Sequence, residues 1–189
     1  MSNKFDYWFW ENCFNKKQIK KINDFIEKNF DKIEDKKFGA KDKEGNLKKN
    51  TFVKCISWKK VKHLLKEIHT DVIESARKNF GYDVYDVSDK NDVLLNTYSY
   101  KNKSKYDWHI DSVDSDLFDI KLTVLINLSL NEYEGGDFKI FNQNETIIKE
   151  LKNPGNVIMF KSKLNHCVTP ITKGERKTLT IFICGPKFR

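Results

Sequence analysis

The sequence predicts an α+β chain that is mostly β, in which two helices precede a jelly roll or barrel of short strands. The first 82 residues contain two runs of apolar side chains at the three- and four-residue spacing of amphipathic helices. From Asp92 onward, eight short strand-like segments follow at the close intervals typical of such folds. A chain of 189 residues is long enough for one compact domain and too short for two of ordinary size. We therefore expect a single domain over 1–189, with a mainly helical support in 1–82 and the jelly-roll core in 83–189.

The first helix is predicted to begin just after Asn15, because Asn15 and Gln18 have the spacing of a capping box. The charged stretch from Gly39 to Asn50 has little to bury, so we expect an exposed loop or hairpin tip there. The apolar face of the helix is formed by residues that recur every three or four positions, namely Ile19, Ile22, Phe25, Ile26, Phe30 and Ile33.

The second helix follows a short predicted strand from Thr51 to Ile56, and Ser57 stands at its N-cap position. Gly81 is expected to end it. His63 and His69 are six positions apart on this helix, which is not the spacing that places two ligands on one face, so both are expected at the surface. Its apolar face comprises Trp58, Val61, Leu64, Leu65, Ile68, Val72, Ile73, Ala76 and Phe80. Both helices are expected to pack on one sheet and to cover it.

The second half is predicted to form short strands bounded by turn residues. They are Val93 to Tyr100, Tyr106 to Asp111, Lys121 to Ser129, Asp137 to Phe141, Thr146 to Leu151, Asn156 to Phe160, Asn165 to Thr169 and Lys177 to Cys184.

The composition indicates a soluble chain that neither enters a membrane nor leaves the cytoplasm. Charged residues make up 33% of it, and no apolar run approaches the length that spans a bilayer. The N-terminus, MSNKFDYWFW, lacks the basic region and apolar core of a signal peptide, so we expect a cytoplasmic location. The cysteines are widely spaced and are expected to be free thiols, with Cys167 in the core.

The net charge of +8 does not by itself indicate nucleic-acid binding. Almost all of the basic residues are lysines spread along the chain, and the only arginines are Arg77, Arg176 and Arg189. Recognition of phosphates and bases usually draws on arginine and on clustered charge. We therefore expect no specific nucleic-acid partner.

The stretch from Tyr106 to Asp111 carries the strongest functional pattern. Side chains alternate between the faces of a strand, so His109 and Asp111 point the same way, with Asp107 as an alternative carboxylate on that face. His166, in a later apolar segment, offers a third ligand. Two histidines and one carboxylate form the facial triad that suits non-haem iron(II) and leaves coordination positions open.

Arg176 follows His166 by ten residues. Arginine can hold a carboxylate through two parallel hydrogen bonds, so Arg176 is a candidate to bind the far carboxylate of a dicarboxylic cosubstrate. The residues thus indicate an oxygenase that depends on iron(II) and 2-oxoglutarate.

An ordered set of motifs resembles the prolyl-hydroxylase-type branch of the Fe(II)/2-oxoglutarate-dependent oxygenase superfamily, over roughly residues 93 to 186. The set consists of Tyr98, the stretch Tyr106 to Asp111, Tyr133-Glu134-Gly135-Gly136-Asp137-Phe138, Pro154 to Phe160, and His166 through Gly174-Glu175-Arg176.

The resemblance implies a double-stranded β-helix, a cupin-like jelly roll, in which His109, Asp111 and His166 hold iron. It implies that Arg176 binds the distal carboxylate of 2-oxoglutarate and that the Tyr98 hydroxyl assists. Thr178 and Thr180 share the face of Arg176 by strand alternation and are further candidates for cosubstrate binding. Iron(II), 2-oxoglutarate and O2 are the implied cofactor and cosubstrates, and ascorbate is an additional candidate.

The leading functional prediction is hydroxylation of an unactivated C–H bond in a prolyl or other residue of a peptide or protein. One alternative is a hydroxylase of a free amino acid or small metabolite, and another is a non-catalytic jelly-roll binding module. A zinc or manganese cupin is also considered, although it gives no reason for an arginine at position 176. Nucleic-acid demethylation is disfavoured, because Phe182 stands where the relatives that repair alkylated bases carry a second arginine.

Overall fold

The computed structural model describes residues 5–34, 41, 43, 45 and 47–188. These residues form a mostly β structure with two helices, as predicted. In chain order the elements are β1 (Tyr7–Trp10), α1 (Lys16–Asn29), β2 (Lys32–Ile33), β3 (Phe52–Ser57), α2 (Trp58–Lys78), β4 (Asp92–Ser99), β5 (Tyr106–His109), β6 (Phe118–Asn127), β7 (Glu134–Gly135), β8 (Phe138–Asn142), β9 (Asn144–Ile147), β10 (Val157–Lys161), β11 (Asn165–Val168), β12 (Ile171–Lys173) and β13 (Glu175–Pro186).

The strands form two main antiparallel sheets. The larger has the order β1-β10-β6-β13-β4-β3-β2, and the smaller has the order β5-β11-β8-β9; β12 and β7 make a separate short pair. Side chains from both main sheets meet in one buried cluster that includes Leu125 and Phe160 of the larger sheet and Phe138 and Val168 of the smaller. The interior between the two sheets is where the functional residues lie.

Both helices pack on the other face of the larger sheet, which confirms the predicted cover. Ile19 and Ile26 of α1 and Val61 and Leu65 of α2 are buried in one cluster with alternate residues of β6, β10 and β13. The capping box of α1 is confirmed: the backbone N–H of Gln18 donates to Asn15 Oδ1 (3.0 Å), and that of Asn15 donates to Gln18 Oε1 (2.9 Å). Neither helix combines the length and the apolar character that crossing a membrane requires.

The first half contributes more strands than its sequence pattern predicted. α1 ends at Asn29, and Ile33, which had been assigned to its apolar face, lies in β2 and is exposed. Ser57 precedes α2 without a side-chain capping bond, and its own backbone N–H donates to Asp31 Oδ2 at 2.7 Å. The expected loop from Gly39 to Asn50 lies partly outside the described residues.

The histidines of α2 differ in their surroundings. His63 is exposed, as expected. His69 is half-buried and its ring lies 4.9 Å from that of Trp58, so its predicted surface position was wrong. Burial lowers the pKa of His69, and this is consistent with an imidazole that packs as a neutral ring.

One predicted strand changes character along its length. The segment from Thr146 to Leu151 is extended only as far as Ile147, and a 3₁₀ helix follows over Lys149–Lys152. The Asn127 side-chain amide donates to the carbonyls of Leu151 (2.9 Å) and Lys152 (3.0 Å), which satisfies acceptors that a strand would pair in a ladder. All four cysteines are free, and Cys167 is buried, as predicted.

Candidate metal centre

His109, Asp111 and His166 come together between the two sheets. β5 and β11 are antiparallel neighbours, and His109 lies directly opposite His166 in their register. Asp111 follows the end of β5, where its backbone N–H donates to the Ser162 carbonyl at 2.9 Å. One ligand atom from each of the three side chains lies within 4.8 Å of the others. Residues that are far apart in the chain thus meet at one point, as the pattern predicted.

A β-bulge in β5 determines which nearby residue of this strand lies on the same side of the sheet as His109. Tyr106 pairs with Val168 and His109 with His166, so β5 has one residue more than β11 between these pairs. The extra residue interrupts strict alternation, and the Tyr106 ring stacks on that of His109 with 3.5 Å between centroids. The Asp107 carboxylate pairs with Lys105 at 2.9 Å and stands outside the cluster, which favours Asp111 over Asp107 as the carboxylate ligand.

The backbone fixes the orientation of both imidazoles. His109 Nδ1 lies 2.7 Å from the Asp107 carbonyl, and His166 Nδ1 lies 2.9 Å from the Leu164 carbonyl. A carbonyl oxygen only accepts, so each Nδ1 carries the proton and each Nε2 presents a lone pair. These Nε2 atoms lie 3.6 Å and 3.5 Å from the Asp111 oxygens.

Burial sets the protonation of the cluster. It lowers the pKa of His109 to about 4, together with the nearby charge of His166, and it lowers the pKa of His166 to about 4. Burial raises the pKa of Asp111, and the hydrogen bond that Asp111 Oδ2 accepts from Thr123 Oγ1 at 2.6 Å counteracts this. At neutral pH the cluster therefore presents two imidazole lone pairs beside the Asp111 carboxyl group, an arrangement that suits a divalent cation such as iron(II).

Arg176 lies in the same interior and lacks an anionic partner. It is only 1% exposed, and its guanidinium carbon lies 5.0 Å from the centroid of the Tyr98 ring on the neighbouring strand β4. Among the residues that the structure describes, no carboxylate forms an ion pair with Arg176, and its Nη2 atom is buried without a hydrogen-bond partner. A buried cation without a counter-charge is costly, so the arrangement fits an anionic ligand.

The other predicted cosubstrate residues line the same cavity. Burial raises the pKa of Tyr98 to about 12, so its hydroxyl stays protonated and can donate. Thr178 Oγ1 is buried and has no hydrogen-bond partner in the described part of the chain. Thr180 Oγ1 already accepts a hydrogen bond from Asn96 Nδ2 at 3.1 Å, so its hydroxyl is engaged within the wall.

The cavity between these groups has a volume of about 70 Å³. Several residues that line the cavity had no role predicted from the sequence. The alternation of side chains along its strand could have predicted that Thr123 faces the interior, whereas Lys49 comes from a stretch expected to be solvated loop. The lining residues not predicted are Lys49, Leu94, Asn96, Tyr106, Thr123, Leu125, Phe138, Val168 and Phe182.

Comparison with known sequences finds a likeness in the strand half. Residues 95–184 match the model of the 2OG-Fe(II) oxygenase superfamily. A PKHD-type hydroxylase of Synechococcus sp. (strain CC9605) is 33% identical over 73 residues, which are 38% of this chain and 32% of that protein. The match therefore spans about a third of the length of this relative.

Comparison with solved structures extends the likeness to nearly the whole chain. The viral collagen prolyl hydroxylase of Paramecium Bursaria Chlorella virus-1, in its 2OG complex, gives a TM-score of 0.67 at 18% identity over 97% of this chain and 98% of its own. A prolyl-4-hydroxylase of Pseudomonas putida gives 0.68 at 12% identity, over 97% and 95%. A prolyl hydroxylase of Trichoplax adhaerens, in complex with a hypoxia inducible factor peptide, gives 0.66 at 15% identity, over 96% and 84%. These likenesses confirm the predicted jelly-roll fold.

The matched region contains all three residues of the cluster and also Arg176. Residues 95–184 are thus similar to the 2OG-Fe(II) oxygenase superfamily.

Proposed function

We propose that this protein is an Fe(II)- and 2-oxoglutarate-dependent dioxygenase that hydroxylates an unactivated C–H bond, in a prolyl or other residue of a peptide or protein. One observation carries the proposal. A cluster of two neutral imidazoles and a carboxyl group shares a small cavity with a buried arginine that has no anionic partner among the described residues. A metal and a dicarboxylic acid together would satisfy both halves of this cavity.

His109, Asp111 and His166 would hold the iron. Three protein ligands leave further positions of an octahedral ion open for the cosubstrate and oxygen. When bound, the iron would let O2 react with 2-oxoglutarate and the substrate, so that 2-oxoglutarate would become succinate and CO2 with one oxygen atom, while the other oxygen atom would convert the C–H bond to an alcohol. The carbonyls of Asp107 and Leu164 keep both Nε2 lone pairs aimed at the metal position, and Thr123 orients the carboxylate.

Arg176 would receive the distal carboxylate of 2-oxoglutarate. Its guanidinium is buried and already ordered against the Tyr98 ring, so little conformational entropy is lost on binding. The Tyr98 hydroxyl and the unpartnered Thr178 hydroxyl line the same cavity and supply further donors. We propose that Thr180 and Asn96 together form part of the cavity wall. They would position the cosubstrate by shape and would not contribute a charge.

The relatives support a peptide or protein substrate. The sequence relative is named a PKHD-type hydroxylase, and the Trichoplax prolyl hydroxylase was solved with a peptide fragment. Apolar side chains also stand exposed in this chain next to the metal ligands, at Trp108, Ile110 and Val113. Exposed apolar side chains of this kind can take part in binding a polypeptide.

The test is an anaerobic titration of the metal-free protein with iron(II) and then with 2-oxoglutarate. We expect the weak visible charge-transfer band of the iron chelate, followed by succinate formation when oxygen is admitted. His109→Ala and His166→Ala should lose the band while keeping the far-UV circular dichroism of the parent. His63→Ala, which alters an exposed histidine of α2, is the matched control and should behave as the parent. A parent protein without band or succinate would favour the alternative of a jelly-roll binding module.

A further inference from the structure

Lys49 is a second cation in the cavity, and the proposed function gives it no role. Its backbone is fixed against the edge of the smaller sheet, where Lys49 forms a bridge with Tyr106. On either side, the Asp107 N–H donates to the Lys48 carbonyl (2.8 Å), and the Lys105 N–H donates to Asn50 Oδ1 (2.6 Å). Lys49 is therefore held beside the metal centre by long-range hydrogen bonds.

The side chain of Lys49 lines the same cavity as His109, Asp111 and Arg176. Its side chain is 20% exposed, and its Nζ lies 5.2 Å from the centroid of the Tyr106 ring that stacks on His109. This places a positive charge on the His109 side of the cavity, apart from the guanidinium of Arg176 against Tyr98.

The partner of Lys49 is easily replaced. Within the described ranges, its ion-pair partner is Glu34, with Nζ and Oε2 3.2 Å apart. The Glu34 side chain is 50% exposed and does not line the cavity. Ion pairs with an exposed partner contribute little to stability, so a ligand carboxylate inside the cavity can compete for the ammonium.

The charge balance of the loaded site shows which ligand the ammonium fits. This step rests on the proposed function. A ferrous dication, the Asp111 carboxylate, the Arg176 cation and doubly charged 2-oxoglutarate sum to zero. The Lys49 charge is then left facing the space that remains for the substrate, where it favours an anionic group and disfavours a cationic one.

We propose that Lys49 binds a carboxylate of the substrate and so makes this enzyme select acid-bearing substrates. Two sources share this chemistry: the α-carboxylate of a free amino acid, and an acidic side chain or C-terminus next to the target residue of a peptide. The cosubstrate is not the source, because Arg176 already faces its distal carboxylate and the metal takes the other end.

The experiment measures a carboxylate probe close to the metal. Protein loaded with Mn(II) and 2-oxoglutarate is titrated with acetate, and the paramagnetic relaxation of the acetate methyl protons reports binding near the ion. Lys49→Gln should weaken acetate binding about fivefold or more, because the variant loses the charge-assisted hydrogen bond between the ammonium group and the carboxylate. Lys49→Arg, which keeps the charge, should retain most of the binding.

Lys54→Gln is the matched control. Lys54 also pairs with a glutamate, Glu27, and its Nζ lies 4.9 Å from the Phe30 ring centroid, but it does not line the cavity. Its replacement should leave acetate binding as in the parent. The source of the carboxylate is then assigned by measuring how much each candidate substrate stimulates 2-oxoglutarate consumption. L-proline is compared with L-prolinamide, and a proline peptide flanked by glutamate is compared with the same peptide flanked by glutamine.

Three results would overturn the assignment of Lys49. Acetate binding that does not change in Lys49→Gln would show that the probe binds the metal directly. An equal loss of 2-oxoglutarate affinity in that variant would show that Lys49 binds the cosubstrate and not the substrate. A preference for amides and glutamine-flanked peptides over the acids would reverse the predicted selectivity. If the parent bound no Mn(II) at all, the proposed function itself would fail, and the carboxylate position with it.

Discussion

At the scale of one residue, Arg176 illustrates how the proposed binding role conflicts with the stability of the ligand-free protein. Its guanidinium is buried, touches the Tyr98 ring and has no carboxylate partner in the described part of the chain. A buried, unpaired cation destabilises a ligand-free fold, and this cost is recovered only when an anion binds.

Replacing this arginine by methionine should therefore separate binding from stability. We expect Arg176→Met to weaken 2-oxoglutarate binding at least roughly thirtyfold, since removing one partner of a desolvated charge pair costs about 2–5 kcal/mol. The free energy of unfolding of the ligand-free protein should be unchanged or higher. Isothermal titration calorimetry and urea unfolding give the two quantities.

Arg77→Met is the control for this substitution. Arg77 is exposed on α2, so its replacement should alter neither cosubstrate affinity nor stability by more than about 0.5 kcal/mol. A change of less than about threefold in 2-oxoglutarate affinity for Arg176→Met would reject the role of Arg176.

The two cluster histidines predict a pH dependence for the metal-free protein. Their folded pKa values of about 4 lie below the ordinary value of 6.5, so the unfolded chain binds more protons between these limits. Stability is therefore complete above pH 6.5 and is lost as the pH falls toward 4, with a slope of at most about 2.7 kcal/mol per pH unit for two histidines. The raised pKa of Asp111 acts in the opposite sense and reduces this slope.

Urea unfolding between pH 5 and 7, with a chelator present, measures this dependence. The double variant His109→Ala/His166→Ala should lose most of the slope that the parent shows below pH 6.5. An equal slope in both proteins would mean that the imidazoles are not buried as neutral groups.

Whether a residue of the site could be predicted depends on whether a local sequence pattern or a contact between distant residues places it there. His109, Asp111, His166 and Arg176 were predictable, because their residue types, order and spacing carry the chemistry. Lys49 was not, because its place in the cavity comes from a bridge to Tyr106, a contact between distant residues that no local pattern encodes.

At the scale of the secondary-structure element, the bulge in β5 determines that Asp111, and not Asp107, joins the two histidines. It stacks Tyr106 on His109 and leaves Asp107 paired with Lys105 outside the cluster. Strict alternation predicted that Asp107 and Asp111 share a face, and a one-residue bulge cannot be foreseen from alternation.

The bulge gives a direct prediction. Asp107→Ala should leave Fe(II) affinity within about twofold of the parent, whereas Asp111→Ala should lower it by tenfold or more, as expected when a metal ligand is removed rather than a neighbour. Competition with a chromophoric chelator measures both. Equal losses in the two variants would indicate that Asp107 is also a ligand.

The turn before β10 depends on a glycine. Gly155 has φ of +84°, and a Cβ there would lie 1.9 Å from the Phe14 carbonyl oxygen, whose residue leads into α1. The same turn is held by the Phe14 N–H, which donates to the Gly155 carbonyl at 3.3 Å. An added methyl group must push these two segments apart.

Gly155→Ala is therefore expected to lower the free energy of unfolding by about 2 kcal/mol or more, through overpacking as well as backbone strain. Gly45→Ala is the matched control, since Gly45 has φ of +82° and no atom of the described residues lies within 4 Å of the added Cβ. It should cost only the strain of about 1 kcal/mol. Equal costs in urea unfolding would show that the contact with Phe14 relaxes freely.

At the scale of the whole molecule, the two halves of the chain share one sheet. β1, β2 and β3 from the first half join β4, β6, β10 and β13 in the larger sheet, and both helices bury their apolar faces against it. The sequence suggested a boundary between a helical support and a strand core. In the structure, this boundary cuts through one continuous sheet.

Such a structure should unfold as one cooperative unit, as the proposed single domain requires. Far-UV circular dichroism and tryptophan fluorescence should give the same urea midpoint, because Trp58 of α2 and the sheet lose their packing together. Two separate transitions would show that the first 82 residues fold independently of the rest.

The most direct test of the metal centre is a crystal structure of the protein with Mn(II) and 2-oxoglutarate. Anomalous scattering should place the ion in contact with His109, Asp111 and His166, and the distal carboxylate of 2-oxoglutarate should lie on Arg176. An ion bound elsewhere, or a cosubstrate carboxylate that does not touch Arg176, would contradict the proposed chemistry.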